Sequence, residues 1–306
     1  MKKLFLIFCL FFATQTTFAN TIDSLKTDKD VRSFLTPLIV QFYYRNADEN
    51  WRVKSWQKLD LNGDNNTDLV ATEIAGRQNF MFIAIAKNDN TFQVSQIIYG
   101  PVGEDQSIEI VYFDNSPHVV FHGFKESKDW RNKPPRTDTL VYKFNSFVEV
   151  NNRPAHYNID SITYSTVWGW KGRDNTPPPN TDSDQNLVID RAGNATYSNN
   201  RSSTTYTFTS GSKRPPRNPK TDLGIFKGKI KSSDLNEIYD LINYIDIQKL
   251  KDKYAISWTD DTTCYIRVKF IDGTVKYIAD YGGQGTFGLK SLFHKLFALR
   301  DSQDWK

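Results

Sequence analysis

The sequence predicts an α+β protein, mainly antiparallel sheets with helices packed on one face, arranged as two domains. Three observations predict it. Short apolar or alternating runs recur along the 306 residues, separated by Asn, Asp and Gly turns. Three other stretches carry apolar residues at helical spacing. Asp272-Gly273 sits between two apolar-patterned runs, a strong local hairpin signal.

Thr27 and Asp30 have the spacing of a capping box and open a helix expected over about Asp28 to Arg45, with Val31, Phe34, Leu35, Leu38 and Ile39 on one face. Pro37 falls inside it, so the helix kinks there or begins with Pro in its first turn. Strands are expected at Val53–Leu59, Leu69–Ile74, Phe80–Lys87 and Phe92–Tyr99, the pattern of an antiparallel meander. Three more are expected at Ile108–Phe113, Val119–Phe124 and Thr139–Phe144. The stretch 168–185, WGWKGRDNTPPPNTDSDQ, is polar and Pro-rich and reads as a long loop or linker. Beyond it strands are expected at Leu187–Asp190, Thr196–Ser198 and Tyr206–Thr209, then a helix over Asp234–Tyr244 with Leu235, Ile238, Leu241 and Ile242 on one side. The hairpin pairs Tyr265–Ile271 with Val275–Asp280. A final helix, Gly288–Leu299, puts Leu289, Leu292, Phe293, Leu296 and Phe297 on one stripe. These elements divide into residues 20–150 and 151–306.

Residues 1–19 have the form of a cleavable secretory signal. Lys2 and Lys3 precede the apolar run Leu4 to Ala13, and Thr17-Phe18-Ala19 places small residues at the cleavage-determining positions, so the cut is expected after Ala19. The apolar run is too short to span a bilayer. Phe8 before Cys9 argues against a lipid anchor. A periplasmic or secreted protein follows. The remaining 287 residues keep one cysteine, Cys264, which excludes an intramolecular disulfide. They carry 37 basic side chains against 35 acidic, a balance that offers no argument for nucleic acid.

Asp60-Leu-Asn-Gly-Asp-Asn-Asn-Thr-Asp68 carries the most specific chemistry. Calcium takes six to eight oxygen ligands, and a curled loop of alternating Asp and Asn supplies them. Asp60, Asn62, Asp64 and Asp68 stand at positions one, three, five and nine, with the Asn66 carbonyl at seven and Asn65 at the sharp turn. The loop resembles the calcium loops of FG-GAP and integrin-type repeats, except that Asn65 replaces glycine. Ala71 at the twelfth position, where an EF-hand carries a bidentate Glu, argues against an EF-hand. The competing reading is an Asx-rich hairpin turn bonded to its own backbone.

Other motifs carry less. Gly283-x-Gly285-x-x-Gly288 has the dinucleotide spacing, but the sequence supplies neither the following strand nor the acidic residue that such a site needs, so it reads as a strand-to-helix turn. His118 and His122 on one strand stand ~13 Å apart, too far for one metal. Cys264 alternates with Ile266, Val268 and Phe270 and reads as a core thiol. The sequences around Arg136 and Arg217, each following two prolines, read as basic surface loops. No catalytic residue is assigned.

From about Tyr157 to Trp305 the chain resembles an uncharacterised domain of exported Gram-negative bacterial proteins. The match rests on Ser233-Asp234, Tyr254, Asp260, Thr262, Gly273 to Gly282, Leu289, Leu292 and Trp305. A Cys-x-x-x-Cys-Pro-type stretch frequent in that family has no counterpart in Gly169 to Pro179. The resemblance implies a small α+β domain and export, and no activity. The expected function is an exported, non-catalytic binding or structural module of the bacterial envelope, its N-terminal half stabilised by one calcium ion. Its expected partner is an envelope protein or glycan, and the candidate ligand contacts are Trp168, Trp170, Asp260 and Asp280. The alternative is an envelope-directed hydrolase using carboxylates such as Asp260 and Asp280.

Overall fold

The computed structural model describes residues 20–39, 51–75, 78–98, 106–124, 134–168, 183–200, 223–256 and 261–306. Among them 49% are strand and 22% helix. The α+β expectation is therefore corrected: this is a β-rich fold of antiparallel sheets to which helices are minor additions. The apolar helical stripes are real, but strands missed in the sequence shift the balance.

Helix α1 (Asp28–Ile39) is closed by the expected capping box, in which Asp30 N donates to Thr27 Oγ1 and Thr27 N to Asp30 Oδ2. Pro37 sits inside it, on its exposed side. Strands β1 (Arg52–Leu59), β2 (Asp68–Ala75), β3 (Gln78–Ala86) and β4 (Phe92–Ile97) form the first sheet in sequence order. Strands β5 (Ser107–Phe113), β6 (Ser116–Phe124), β7 (Pro135–Lys143) and β8 (Ser146–Glu149) form the second, again in order.

Both faces of the first sheet are covered. Leu69, Ala71, Phe82 and Ala84 pack against Val31, Leu35 and Ile39 of α1. The alternate residues Val70, Met81, Ile83 and Ile85 meet Val119, Phe121 and Leu140 of the second sheet. This two-sided burial is why β3 reads as a continuous apolar run rather than an alternating one.

The third sheet has the order β12-β11-β10-β9-β14-β15-β13. Its strands are β9 (Ile159–Trp168), β10 (Gln185–Asp190), β11 (Asn194–Asn199), β12 (Gly224–Lys229), β13 (Lys253–Ala255), β14 (Thr262–Phe270) and β15 (Val275–Tyr281). Its pairings are antiparallel except β13 with β15. Helices α2 (Ser232–Tyr244) and α3 (Phe287–Ser302) pack on one face of it. Leu289, Leu292, Leu296 and Leu299 of α3 press on Ile266 and Val268 of β14 and Leu187 and Ile189 of β10. Asp272-Gly273 makes the expected hairpin, with Gly273 at φ 88°. The chain ends as an addition to the β12 edge: Lys227 and Lys306 exchange two backbone hydrogen bonds of 2.8 Å. The expected strand Tyr206–Thr209, the helical continuation to Arg45 and the signal segment 1–19 lie outside the described residues.

Arg136 departs from its surface-loop reading. It lies in β7, buried, ion-paired with Asp138 and 3.6 Å from Glu149, with its guanidinium 5.4 Å from the centre of the Phe287 ring.

Candidate functional site

A cavity of about 1130 Å³ opens where the edge of the first sheet, the second sheet and the helix-covered face of the third sheet meet. Ligand sites are commonly concave, largely apolar and furnished with a few convergent polar groups. Here β4 supplies one wall through Val94 and Ile97, β8 contributes Phe147, and β9 contributes Tyr164 and Trp168. The opposite wall is α3.

Helix α3 carries two faces. The stripe Leu289, Leu292, Leu296 and Leu299 is buried in the third-sheet core. The second face, spaced three and four residues apart, is Phe287, Lys290, Ser291, His294 and Phe297, and all five line the cavity. Phe297, expected on the core stripe, is instead 38% exposed. Phe287 reaches the other way, into the sandwich core, with its ring 5.2 Å from that of Phe121.

The turn that launches α3 is held by two carboxylates. Asp280, 1% exposed at the end of β15, accepts Gln284 N at 2.6 Å and Gly285 N at 3.0 Å. Glu149 of β8 accepts Phe287 N at 2.6 Å and Gly288 N at 2.9 Å, and Thr286 Oγ1 accepts Leu289 N. The amides of this glycine-rich turn thus already serve protein oxygens, which accounts for the Gly283/Gly285/Gly288 spacing in structural terms. A Cβ on Gly285 would lie 2.8 Å from Asp280 Oδ2, and one on Gly288 would lie 2.5 Å from Ile245 Cγ2.

The ionisable groups of the cavity respond to their surroundings. Burial pushes Lys290 down to about 8, opposed by the nearby Asp280 carboxylate. Its Nζ reaches Ile98 O at 3.4 Å. Burial, and then the charge on Lys290, also lowers His294 one helical turn on. Burial raises Asp280 in spite of the Gly285 and Gln284 amides and Lys290. The Cys264 thiol, 3.8 Å from Tyr164 Oη, is pushed up to about 12 by burial and by the Asp280 charge. A thiol held neutral is a poor nucleophile. Lys290 and Cys264 are partly exposed and His294 is exposed, whereas Asp280 is enclosed.

Of the expected ligand contacts, Trp168 and Asp280 line this one cavity, whereas Trp170 and Asp260 lie outside the described residues. Trp168 is half exposed, and its backbone N donates to Asp184 Oδ2 at 2.6 Å. Lys290, His294 and Phe297 were missed. Their i, i+4, i+7 spacing was visible, but their separation from the core stripe was not.

The loop after β1 is a separate feature. Asp60 Oδ1 accepts Gly63 N and Asp64 N, Asp60 Oδ2 accepts Asn65 N, and Asp64 Oδ1 accepts Asn66 N. Asn65 takes the left-handed conformation at φ 64°, as the curled loop requires. Asn62 Nδ2 bonds Asp64 Oδ2 at 2.9 Å, and Asn66 Nδ2 bonds Asn88 Oδ1 at 2.9 Å. Asp68 is turned inward. It is fully buried, and its oxygens accept Leu61 N and Ala86 N, each at 2.8 Å. Among the described residues no three His, Cys, Asp or Glu side chains form a group that could hold a metal ion. Asp60 and Asp64 thus turn their carboxylate oxygens to groups within the loop, while Asp68 serves the backbone. Among the described residues no helix is long and apolar enough to cross a membrane.

No curated protein and no solved structure matches the chain. The comparison that does succeed covers β10 through most of α3, and so includes Cys264, Asp280, Lys290 and His294 but not Trp168 or β4: over residues 184–300 the chain is similar to a family described only as Domain of unknown function (DUF6438).

Proposed function

We propose that this is an exported, non-catalytic binding module that holds a small, largely apolar molecule in the cavity between β4, β9 and α3. The observation that carries this reading is the cavity itself, about 1130 Å³ and walled by Phe147, Tyr164, Trp168, Phe293 and Phe297. Trp168 and Phe297 are the exposed rings among them, and aromatic rings at a concavity offer a large apolar contact area with little conformational entropy to lose on binding. The hydrolase alternative would use the Asp280 carboxylate, but both of its oxygens are engaged by the Gln284 and Gly285 amides, a role that shapes the turn. Export rests on the form of residues 1–19. A calcium ion on Asp60, Asn62 and Asp64 would act as a structural clip, closing the loop between β1 and β2.

The test is a titration of residues 20–306 with N-phenyl-1-naphthylamine, a neutral apolar dye whose emission rises in dry surroundings. Saturable binding to the folded protein is expected. Ser95→Trp, which fills the cavity from the edge strand, should weaken it about tenfold or more. A cooperatively folded protein that gives no saturable signal would refute the cavity reading.

A further inference from the structure

We infer that the occupant of the cavity is an extended segment of polypeptide that adds a strand to the open edge of β4. The inference rests on the binding reading above and adds the chemistry of the ligand. Its basis is the direction of the β4 main chain. Lys87 N donates to Thr91 O at 2.9 Å in the hairpin between β3 and β4, which fixes the phase of the ladder. With Ala86 opposite Phe92 and Met81 opposite Ile97, hydrogen-bonded and non-bonded pairs then alternate along it. Gln93, Ser95 and Ile97 turn their N–H and C=O groups to β3, and Val94, Gln96 and Ile98 turn theirs away from it. β4 is the last strand of its sheet, so no described strand meets those outward groups. The side to which they point is the cavity: the consecutive residues Val94 to Ile98 all line it, and Lys290 Nζ reaches Ile98 O at 3.4 Å.

An open edge is a template for another chain, and proteins commonly guard it with charge, cover or shortness. The other edge strands of the three sheets each carry an ionisable side chain: Lys54 in β1, Glu109 in β5, Glu149 in β8, Lys227 in β12 and Lys253 in β13. The β12 edge is also closed by the chain end at Lys306. Strand β4 has no charge and no proline, and Phe92 to Gln96 are each partly exposed, on both faces. Main-chain donors and acceptors at strand spacing suit one ligand chemistry, the backbone of an extended peptide, whose alternate side chains then enter the cavity. There Trp168 and Phe297 present exposed rings to them, which favours apolar residues at those positions.

The experiment displaces N-phenyl-1-naphthylamine from residues 20–306 with a capped hexapeptide of alternating valine and threonine. Two isomers of it are compared, one N-methylated on every valine and the other on every threonine. The isomers have the same composition, but each lacks N–H donors along one edge only. The parent peptide is expected to compete, one isomer to match it, and the other to compete at least about tenfold more weakly. Gln96→Pro removes an outward N–H and leaves the bonds to β3 intact, a change that edge strands tolerate. It should keep dye binding and lose competition by the peptide. If the dye binds but the parent peptide does not compete, the two isomers behave alike, or Gln96→Pro still responds to the peptide, strand addition is overturned while the cavity reading stands. If the dye itself does not bind, the cavity reading has failed and the inference falls with it. A dimer in sedimentation that Gln96→Pro dissociates would assign the edge to a second copy of the chain and overturn the peptide inference as well. Should Gln96→Pro not fold, the two isomers on the unmodified protein still decide the matter.

Discussion

Glu149 of β8 and Gly288 of α3 are joined across the boundary between the β-sandwich and the third sheet, with Glu149 Oε2 accepting Gly288 N at 2.9 Å while Oε1 accepts Phe287 N at 2.6 Å. A carboxylate from one part of the fold thus caps a helix belonging to another. Its charge suits the positive end of the helix, and Gly288 leaves the space that the neighbouring Ile245 needs. Glu149→Ala removes both acceptors and should cost about 2 kcal/mol, the upper range for a lost cap. Glu149→Gln keeps one good acceptor and should cost roughly half that. Urea unfolding followed by circular dichroism separates the two. Equal stability of both variants and the parent would show that the cap contributes nothing.

Glu73 stands for the opposite case. It lies on the face of β2 that meets α1, is fully buried, and neither of its carboxyl oxygens has a hydrogen-bond partner. Burial pushes it up to about 8, opposed only by the charge of Arg32. The folded-state value exceeds the ordinary one near 4.5, so the native state holds a proton that the unfolded chain releases. Its contribution to stability is therefore complete below pH 4.5 and is lost as pH rises toward 8, at up to ~1.4 kcal/mol per pH unit. Glu73→Leu should raise the melting temperature at pH 7.5 and flatten the pH dependence over that window. An unchanged pH profile would show that Glu73 is ionised and served in the native state.

The sequence announced local features well and long-range ones poorly, and the residues explain why. The Thr27–Asp30 box, the Asp272-Gly273 hairpin and the runs around Phe82 and Ile266 are decided by neighbours within a few positions. Strand β9, at the middle of the third sheet, went unread because Ser161, Thr163, Ser165 and Thr166 dilute its apolar pattern. Those polar side chains are nonetheless tolerated between β10 and β14. Missing β8, β9, β12 and β13 is also what made the fold look more helical than it is. The cavity was illegible for a different reason. Ile98 and Lys290 touch across 192 positions, and only the assembled sheets set β4 opposite α3. Trp168 and Asp280 could be proposed as contacts one at a time, but nothing local placed them in the same wall.

Cys264 offers a chemical check on that wall. With its thiol pushed up to about 12, the thiolate fraction at pH 8 is on the order of one in ten thousand. Ellman's reagent should therefore modify Cys264 in the folded protein far more slowly than in guanidinium, by a factor of a hundred or more, with Cys264→Ser as the blank. Rapid modification of the native protein at pH 8 would mean that the thiol is neither desolvated nor close to Asp280.

Asp68 and the loop before it make separable predictions, because their oxygens do different work. Asp68 uses both oxygens on backbone amides, Leu61 N at one end of the loop and Ala86 N across the sheet. Asp68→Asn replaces one acceptor with a donor facing an N–H, leaving a buried group unsatisfied, and should cost about 1–3 kcal/mol whether or not calcium is present. Asp60 and Asp64 stand at the solvent side and bond only within the loop. If calcium binds there, millimolar calcium should raise the melting temperature of residues 20–306 over that in EGTA. A ligand at a hundred times its Kd adds about 2.7 kcal/mol, which is several degrees for a domain of ordinary size. Asp64→Ala should abolish that rise, and Asp68→Asn should lower both melting temperatures together. A melting temperature indifferent to calcium, with Asp68→Asn still destabilising, identifies the stretch as a turn closed by its own backbone and leaves the cavity as the sole site of binding chemistry among the described residues.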